Sequence, residues 1–326
     1  MISYDYFYRD QLPLDRPWQC NWDLFISAWD GSERVRQTLQ LASAPLKITL
    51  LHQEYGLSEA SVPTDRVFAL RGDEAEGILE LVQTLEALGV NLATARLGID
   101  ITGMIRPHIA LLTKILRANG VQQFDAIYSE PISYAEREHT KFTSGDVIEV
   151  REIIGFEGRN TITNSREVLI LAPGFDDALL REIVSHKEHA TKVEIFGLPS
   201  LQPDMYQHNV LKALGPDTPL PEETSDLRYF ATACDPFAMA TELSAIIARH
   251  KRRDPNTRFY IAALATKIQT LGAALFYLTE CENSTVSLIY PFASAHLPGP
   301  SVGISRAWVY RIDFRLCDVL SRRGSH

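Results

Sequence analysis

A chain of 326 residues, 45% hydrophobic and 22% charged, has the composition of a soluble globular protein, one large domain or two medium ones, and not of a disordered or fibrous one. Its 41 acids against 32 Lys and Arg leave a net charge of −9, which disfavours nonspecific binding along a nucleic-acid backbone. Four cysteines, Cys20, Cys234, Cys281 and Cys317, lie far apart with no C-x-x-C pair, so neither a zinc site nor a disulfide framework is expected, and a reducing cytosol fits.

The opening stretch "MISYDYFYRDQLPLD" carries three acids and no long apolar run, so no signal peptide is expected. From residue 23 onward, short apolar runs of strand length alternate with helical patterns, the signature of α/β units around a largely parallel sheet. "DLFISAWDGSERVRQTL" (23 to 39) predicts a buried strand, a Gly/Asp turn and an amphipathic helix. "KITLLHQEYG" from 47 is the second strand. "VFALRGDEAEGILELVQTL" from 67 is the third strand with its helix, and "LGIDITGMIRPHIALLTKIL" (97 to 116) the fourth with its helix. "FDAIYSEPISY" (124 to 134) is a fifth strand ending in a proline-broken turn, and the β-rich "DVIEVREIIGF" closes this half.

The second half repeats the order. "VLILAPGFDDALLREIV" (168 to 184) matches the first unit, and "KVEIFGLPS" begins at 192, so the separation of first and second strands is 24 residues in both halves. "YFATACDPFAMATELSAII" from 229, "YIAALATKIQTLGAALFYL" from 260 and "VSLIYPFASAH" from 286 supply strands three to five, and "RAWVYRIDF" is the closing β-rich segment. Third to fourth strand takes 30 and 31 residues, fourth to fifth 27 and 26. The halves differ between strands two and three, where the second has 17 extra residues including the acidic, Pro-rich "LGPDTPLPEETSD", which is expected as an exposed excursion near 213 to 228. The reading is an internal duplication: two tandem Rossmann-like halves, 1–150 and 151–323, each a largely parallel sheet flanked by helices with a C-terminal β-rich segment. Residues 324–326 read as a tag remnant. The most apolar helix, near 260 to 278, contains Lys267 and Gln269 and is a core segment, not a membrane span.

In open parallel sheets, ligands bind beyond the carboxyl ends of the strands, where helix N-termini present N–H groups. The ligand-binding candidates there are Asp30, Ser32, Thr102, Gly103 and Arg106 in the first half, and Gly174, Asp176, Thr266 and Lys267 in the second. Capping is the stronger reading of Asp30, Ser32, Asp73 and Asp235, and capping remains open for Thr102 and Thr266. Arg106 and Lys267 are more telling, because a cation at a helix N-terminus opposes the macrodipole and an anionic partner explains it. No nucleotide-loop, nucleophile-elbow or H-E-x-x-H motif is present, no metal site is expected, and His186 and His189 read as a solvated helix end.

The opening "WDLFISAWDGSERV" resembles the start of a Toll/interleukin-receptor domain, but no catalytic-Glu segment follows it. The turns "IDITG" and "ALATK" resemble the T-G-G-T-K-type turn of CARF domains, the Rossmann-like sensors of cyclic oligonucleotides, and the order of elements in each half is similar to that family. The resemblance implies two CARF-like halves in one chain, a nucleotide or cyclic oligonucleotide ligand bound between the lobes, another protein as effector, and prokaryotic antiviral defence as the setting. No resident cofactor is implied. The expectation is thus a cytosolic sensor or regulatory subunit for an anionic, nucleotide-derived ligand. A phosphoester-processing enzyme on the same scaffold, with an Asp at a strand end as base, and a scaffold subunit of a larger complex are the alternatives.

Overall fold

The computed structural model describes residues 2–64, 66–134, 143, 146–159, 165–174, 176–201, 228–297 and 301–324. The expected excursion near 213 to 228 lies largely outside the described residues.

In chain order the elements are β1 (Arg9–Leu12), β2 (Leu24–Trp29), α1 (Glu33–Leu41), β3 (Leu46–His52), β4 (Val67–Leu70), α2 (Glu74–Ala87), β5 (Leu97–Asp100), α3 (Arg106–Ala118), β6 (Gln123–Glu130), β7 (Ser133–Tyr134) and β8 (Val147–Glu152). There follow β9 (Glu167–Ala172), α4 (Asp177–His186), β10 (Thr191–Gly197), β11 (Arg228–Ala231), α5 (Pro236–Arg253), β12 (Arg258–Ala263), α6 (Lys267–Phe276), β13 (Val286–Ala293), β14 (Ser301–Val302), β15 (Arg306–Asp313) and α7 (Phe314–Gly324). The expected strands all form, starting within two residues of the apolar runs that predict them.

Two mixed, mostly parallel sheets result, one in the order β1-β15-β6-β5-β2-β3-β4 and the other β11-β10-β9-β12-β13-β8. Numbering the strands by their place in each half, both sheets run third, second, first, fourth, fifth, closing, which is the Rossmann-like order. The closing strands hold a surprise for the sequence reading. The β-rich segment that follows the fifth strand in each half does not pair with that strand: β8 pairs antiparallel with β13, and β15 pairs antiparallel with β6. Each closing strand therefore completes the sheet of the other half.

The chain accordingly divides into two compact units, one of Phe7–Gly145 with Ala295–Cys317, the other of Met1–Tyr6, Asp146–Ser294 and Asp318–His326. In the first unit, β2 reads LFISAW with every residue buried, because a central parallel strand is covered on both faces. Beside it lies a core of Trp18, Trp22, Phe25, Trp29, Val35 and Leu39. Helix α1 starts where Ser32 accepts the Val35 N–H, and α2 starts with a full capping box in which Asp73 and Glu76 satisfy each other's backbone donors. In the second unit, Asp235 caps α5 ahead of Pro236, and His250, Lys251, Arg252 and Arg253 fill its last turn, where positive charge suits the macrodipole. Among the described residues no helix is long and apolar enough to cross a membrane.

Candidate functional site

In both units the strand order reverses between the first and fourth strands, which puts the switch point between β2 and β5 in one and β9 and β12 in the other. A glycine marks each. A Cβ on Gly103, just after β5, would lie 1.8 Å from the Ala28 carbonyl oxygen on β2, and one on Gly174, just after β9, 2.4 Å from the Leu264 carbonyl oxygen beyond β12. Only a residue without a side chain lets the two turns pass this close.

In the first unit the sequence candidates meet at this point, each with a defined partner. Ser32 caps α1, so the capping reading holds for it, while Asp30 is not the cap and instead accepts the Ser32 N–H at 2.9 Å in the turn before the helix. Asp100, fully buried, accepts the Thr102 N–H at 2.9 Å and the Ser27 hydroxyl at 2.8 Å. Burial raises its pKa, against the pull of those hydrogen bonds. Thr102 is not a cap: its Oγ1 accepts the Ser129 N–H at 3.0 Å, while the Ser129 hydroxyl meets Thr38 at 2.7 Å and Arg34 donates to the Ser129 carbonyl at 3.1 Å. These bonds tie β2, β5, β6 and α1 together in a buried network.

Helix α3 begins at Arg106, behind Ile105, whose side chain offers no cap. The 103–105 turn separates Thr102 from the helix, and Arg106 is the first helical residue, only 9% exposed. Two histidines that the sequence reading passed over stand beside it. The Ile105 N–H points to Nε2 of buried His52 at 3.4 Å, and the His52 ring meets that of His108 edge-on with centroids 4.5 Å apart. Burial pulls His108 down to about 4, outweighing the opposite influence of Glu74 and Asp73, so its ring is neutral at pH 7. Its Nδ1 is buried with no hydrogen-bond partner. Tyr55 donates to the Gly103 carbonyl at 2.9 Å and packs edge-on against His52.

The second unit repeats the plan with different chemistry. Asp176 caps α4. Thr266 caps α6 in a reciprocal box with Gln269 and donates to the Ala233 carbonyl at 3.0 Å, so its capping reading holds. Lys267 is the first residue of α6, half-buried, as Arg106 is the first of α3. Gln269 is fully buried, and its Nε2 has no hydrogen-bond partner. Thus each fourth-strand helix carries a cation at its first position and, two residues on, a buried nitrogen left unpaired. His108 and Gln269 were legible only as the third helical residues after the Arg and Lys singled out in the sequence, and no motif draws attention to them.

Elsewhere, His186 ends α4, and His189 is exposed with its Nε2 3.1 Å from the Glu188 carboxylate. Among the described residues no cluster of His, Cys, Asp and Glu is placed to hold a metal ion.

No family model matches this chain, and no curated protein matches it. Among solved structures, the GsuK channel bound to NAD aligns over 98% of this chain and 81% of that chain, at 10% identity and a TM-score of 0.18. A likeness at that level carries no argument about ligand or fold, and the comparisons lend no support to the CARF resemblance. What stands is the architecture seen directly: two α/β units with Rossmann-like strand order.

Proposed function

We propose that this protein binds an anionic, nucleotide-derived ligand at the carboxyl ends of its parallel strands, with a subsite at the fourth-strand turn of each unit. The observation that carries the reading is the repeated pair of a cation at the first helical position (Arg106, Lys267) and a buried, unpaired nitrogen two residues later (His108 Nδ1, Gln269 Nε2). A cation there opposes the helix dipole, and an unpaired buried polar atom costs about 1–3 kcal/mol. An anion with acceptor oxygens at the helix N-terminus offsets both. The common strand order of the two sheets supports an internal duplication that would have copied such a site.

Binding is favoured over turnover because Asp100, the strand-end carboxylate best placed in the sequence to act as a base, is fully buried and occupied by Ser27 and Thr102. The protein then acts as a sensor or regulatory subunit that passes occupancy to another protein. The turns similar to CARF domains make cyclic oligonucleotides, and an antiviral setting, the first to try.

The test is a thermal-shift screen of linear and cyclic nucleotides, followed by calorimetric titration of Arg106→Ala and Lys267→Ala with any ligand found. Loss of a charge-assisted contact should weaken affinity roughly ten- to a hundredfold, with circular dichroism and melting temperature checking that each variant is folded at the titration temperature. Chromatography of the ligand after incubation separates binding from hydrolysis. Unchanged affinity in both variants would sink the site assignment.

A further inference from the structure

A second surface of the first unit has the chemistry of a binding site and no part in the one just described. Along α1, the amino end of β3 and the approach to β4 runs an open groove of about 680 Å³, with the exposed Pro45, Ala60 and Pro63 contributing aliphatic walls. Three cations line it, one from each element: Arg36 on α1, Lys47 at the start of β3 and Arg66 just before β4.

What joins the three is that none faces a carboxylate among the described residues. Elsewhere in this unit Arg96 pairs with Asp23, Arg306 with Glu130, Arg311 with Asp125 and Arg315 with Asp313. Arg36, Lys47 and Arg66 have no carboxylate within ion-pair distance among the described residues, although the chain carries 41 acids to 32 Lys and Arg. Lys47 is half-buried, its ammonium donating only to the Leu39 carbonyl at 2.9 Å, and Arg36 leans over the Trp29 ring. A partly desolvated ammonium with no counter-charge among the described residues is a cost that an anion in the groove would offset.

We propose that this groove docks an acidic peptide segment of a partner protein, its carboxylates on Arg36, Lys47 and Arg66 and its aliphatic side chains on the exposed Pro45, Ala60 and Pro63. The cations come from three separate elements along a trough, which suits several spaced carboxylates better than one compact phosphate group. The lining is aliphatic, and Trp29, the aromatic ring next to it, is 2% exposed beneath Arg36, so no face is offered on which a base could stack. The inference does not depend on the proposed nucleotide site, which lies at the carboxyl ends of the strands.

The experiment pans a phage-displayed library of random linear peptides on the whole protein and on the double variant Arg36→Glu/Arg66→Glu. Both arginines are exposed, so the variant should fold, and its circular dichroism and melting temperature verify that. Peptides combining Asp or Glu with Leu, Val or Ile should be enriched on the parent, and a synthetic copy should bind the variant at least tenfold more weakly and lose affinity as salt rises. Equal enrichment on both proteins, selected peptides without acids, or no enrichment at all overturns the proposal. So would a nucleotide or single-stranded RNA whose binding is abolished by the same double variant, since that would make the groove a nucleic-acid site.

Discussion

Replacing Gly103 by Ala adds one methyl group where the β5 turn crosses β2. That methyl would sit 1.8 Å from the Ala28 carbonyl oxygen and 3.4 Å from a Val35 methyl, and the first of these contacts is far inside van der Waals range. The obstacle is backbone of a central strand, which cannot rotate aside as a long side chain can. Either β2 and β5 must separate, at the expense of their register from Leu24↔Leu97 to Ile26↔Ile99, or the turn must move and release the Tyr55 bond to the Gly103 carbonyl. Overpacking of a core usually costs about 1–3 kcal/mol, and this case belongs at or above the top of that range. At roughly 2–4 °C per kcal/mol, a loss of about 3 kcal/mol lowers the melting temperature by roughly 6–12 °C.

The assay is intrinsic tryptophan fluorescence during urea or thermal unfolding. All four tryptophans, Trp18, Trp22, Trp29 and Trp308, lie in the first unit, so their emission follows that unit without contribution from the other. Gly56→Ala is the control: its φ of 61° penalises any side chain, but nothing lies within 4 Å of the added carbon, so it should cost about 1–2 kcal/mol through backbone strain alone. A Gly103→Ala protein no less stable than Gly56→Ala would show that the close crossing does not constrain this fold.

The other predictions concern single groups. His108, held at about 4 when folded against an ordinary value near 6.5, binds a proton in the unfolded chain before it does in the folded one, so its contribution is complete above pH 6.5 and is lost as pH falls toward 4. That contribution is up to about 3 kcal/mol, and the stability difference between the parent and His108→Gln should shrink across this window; a pH-independent difference refutes the buried neutral ring. Thr102→Val leaves the buried Ser129 N–H without its acceptor and should cost about 1–3 kcal/mol by urea denaturation. Thr266→Ala removes the cap, worth about 1 kcal/mol, together with the hydroxyl's bond to the Ala233 carbonyl, and a loss well above about 1 kcal/mol would mean that the second bond matters more than the capping box.

Much of the site could be located in the sequence but not its inner chemistry. Asp30, Ser32, Thr102, Gly103 and Arg106 were found because strand ends are where apolar runs stop and small or charged residues begin, and these are local facts. That Thr102 receives Ser129 while Ser32 caps a helix could not be read, because a hydroxyl looks the same in either role until the fold brings its partner. His52 and His108 are 56 positions apart in the chain and form a pair only because β3 ends beside the start of α3. The cations of the groove were unremarkable for a similar reason: Arg36, Lys47 and Arg66 become a set only when three elements converge.

The sequence by itself determined the elements, through the spacing of short apolar runs and the Ser, Asp and Thr caps before several of the helices, since both depend on neighbours a few residues away. The reading of two Rossmann-like halves is matched by the common strand order of the two sheets, which the structure supplies. Only the tertiary structure decided which strand closes which sheet. "DVIEVREIIGF" and "RAWVYRIDF" each follow a fifth strand directly and would serve equally well at either edge as far as pattern can tell. Yet β8 joins β13 across more than a hundred residues of chain, and β15 joins β6 across nearly two hundred. Backbone hydrogen bonds in a ladder are alike for every residue, so pairing is settled by which edge the folded chain brings within reach, and that is not written in any local stretch.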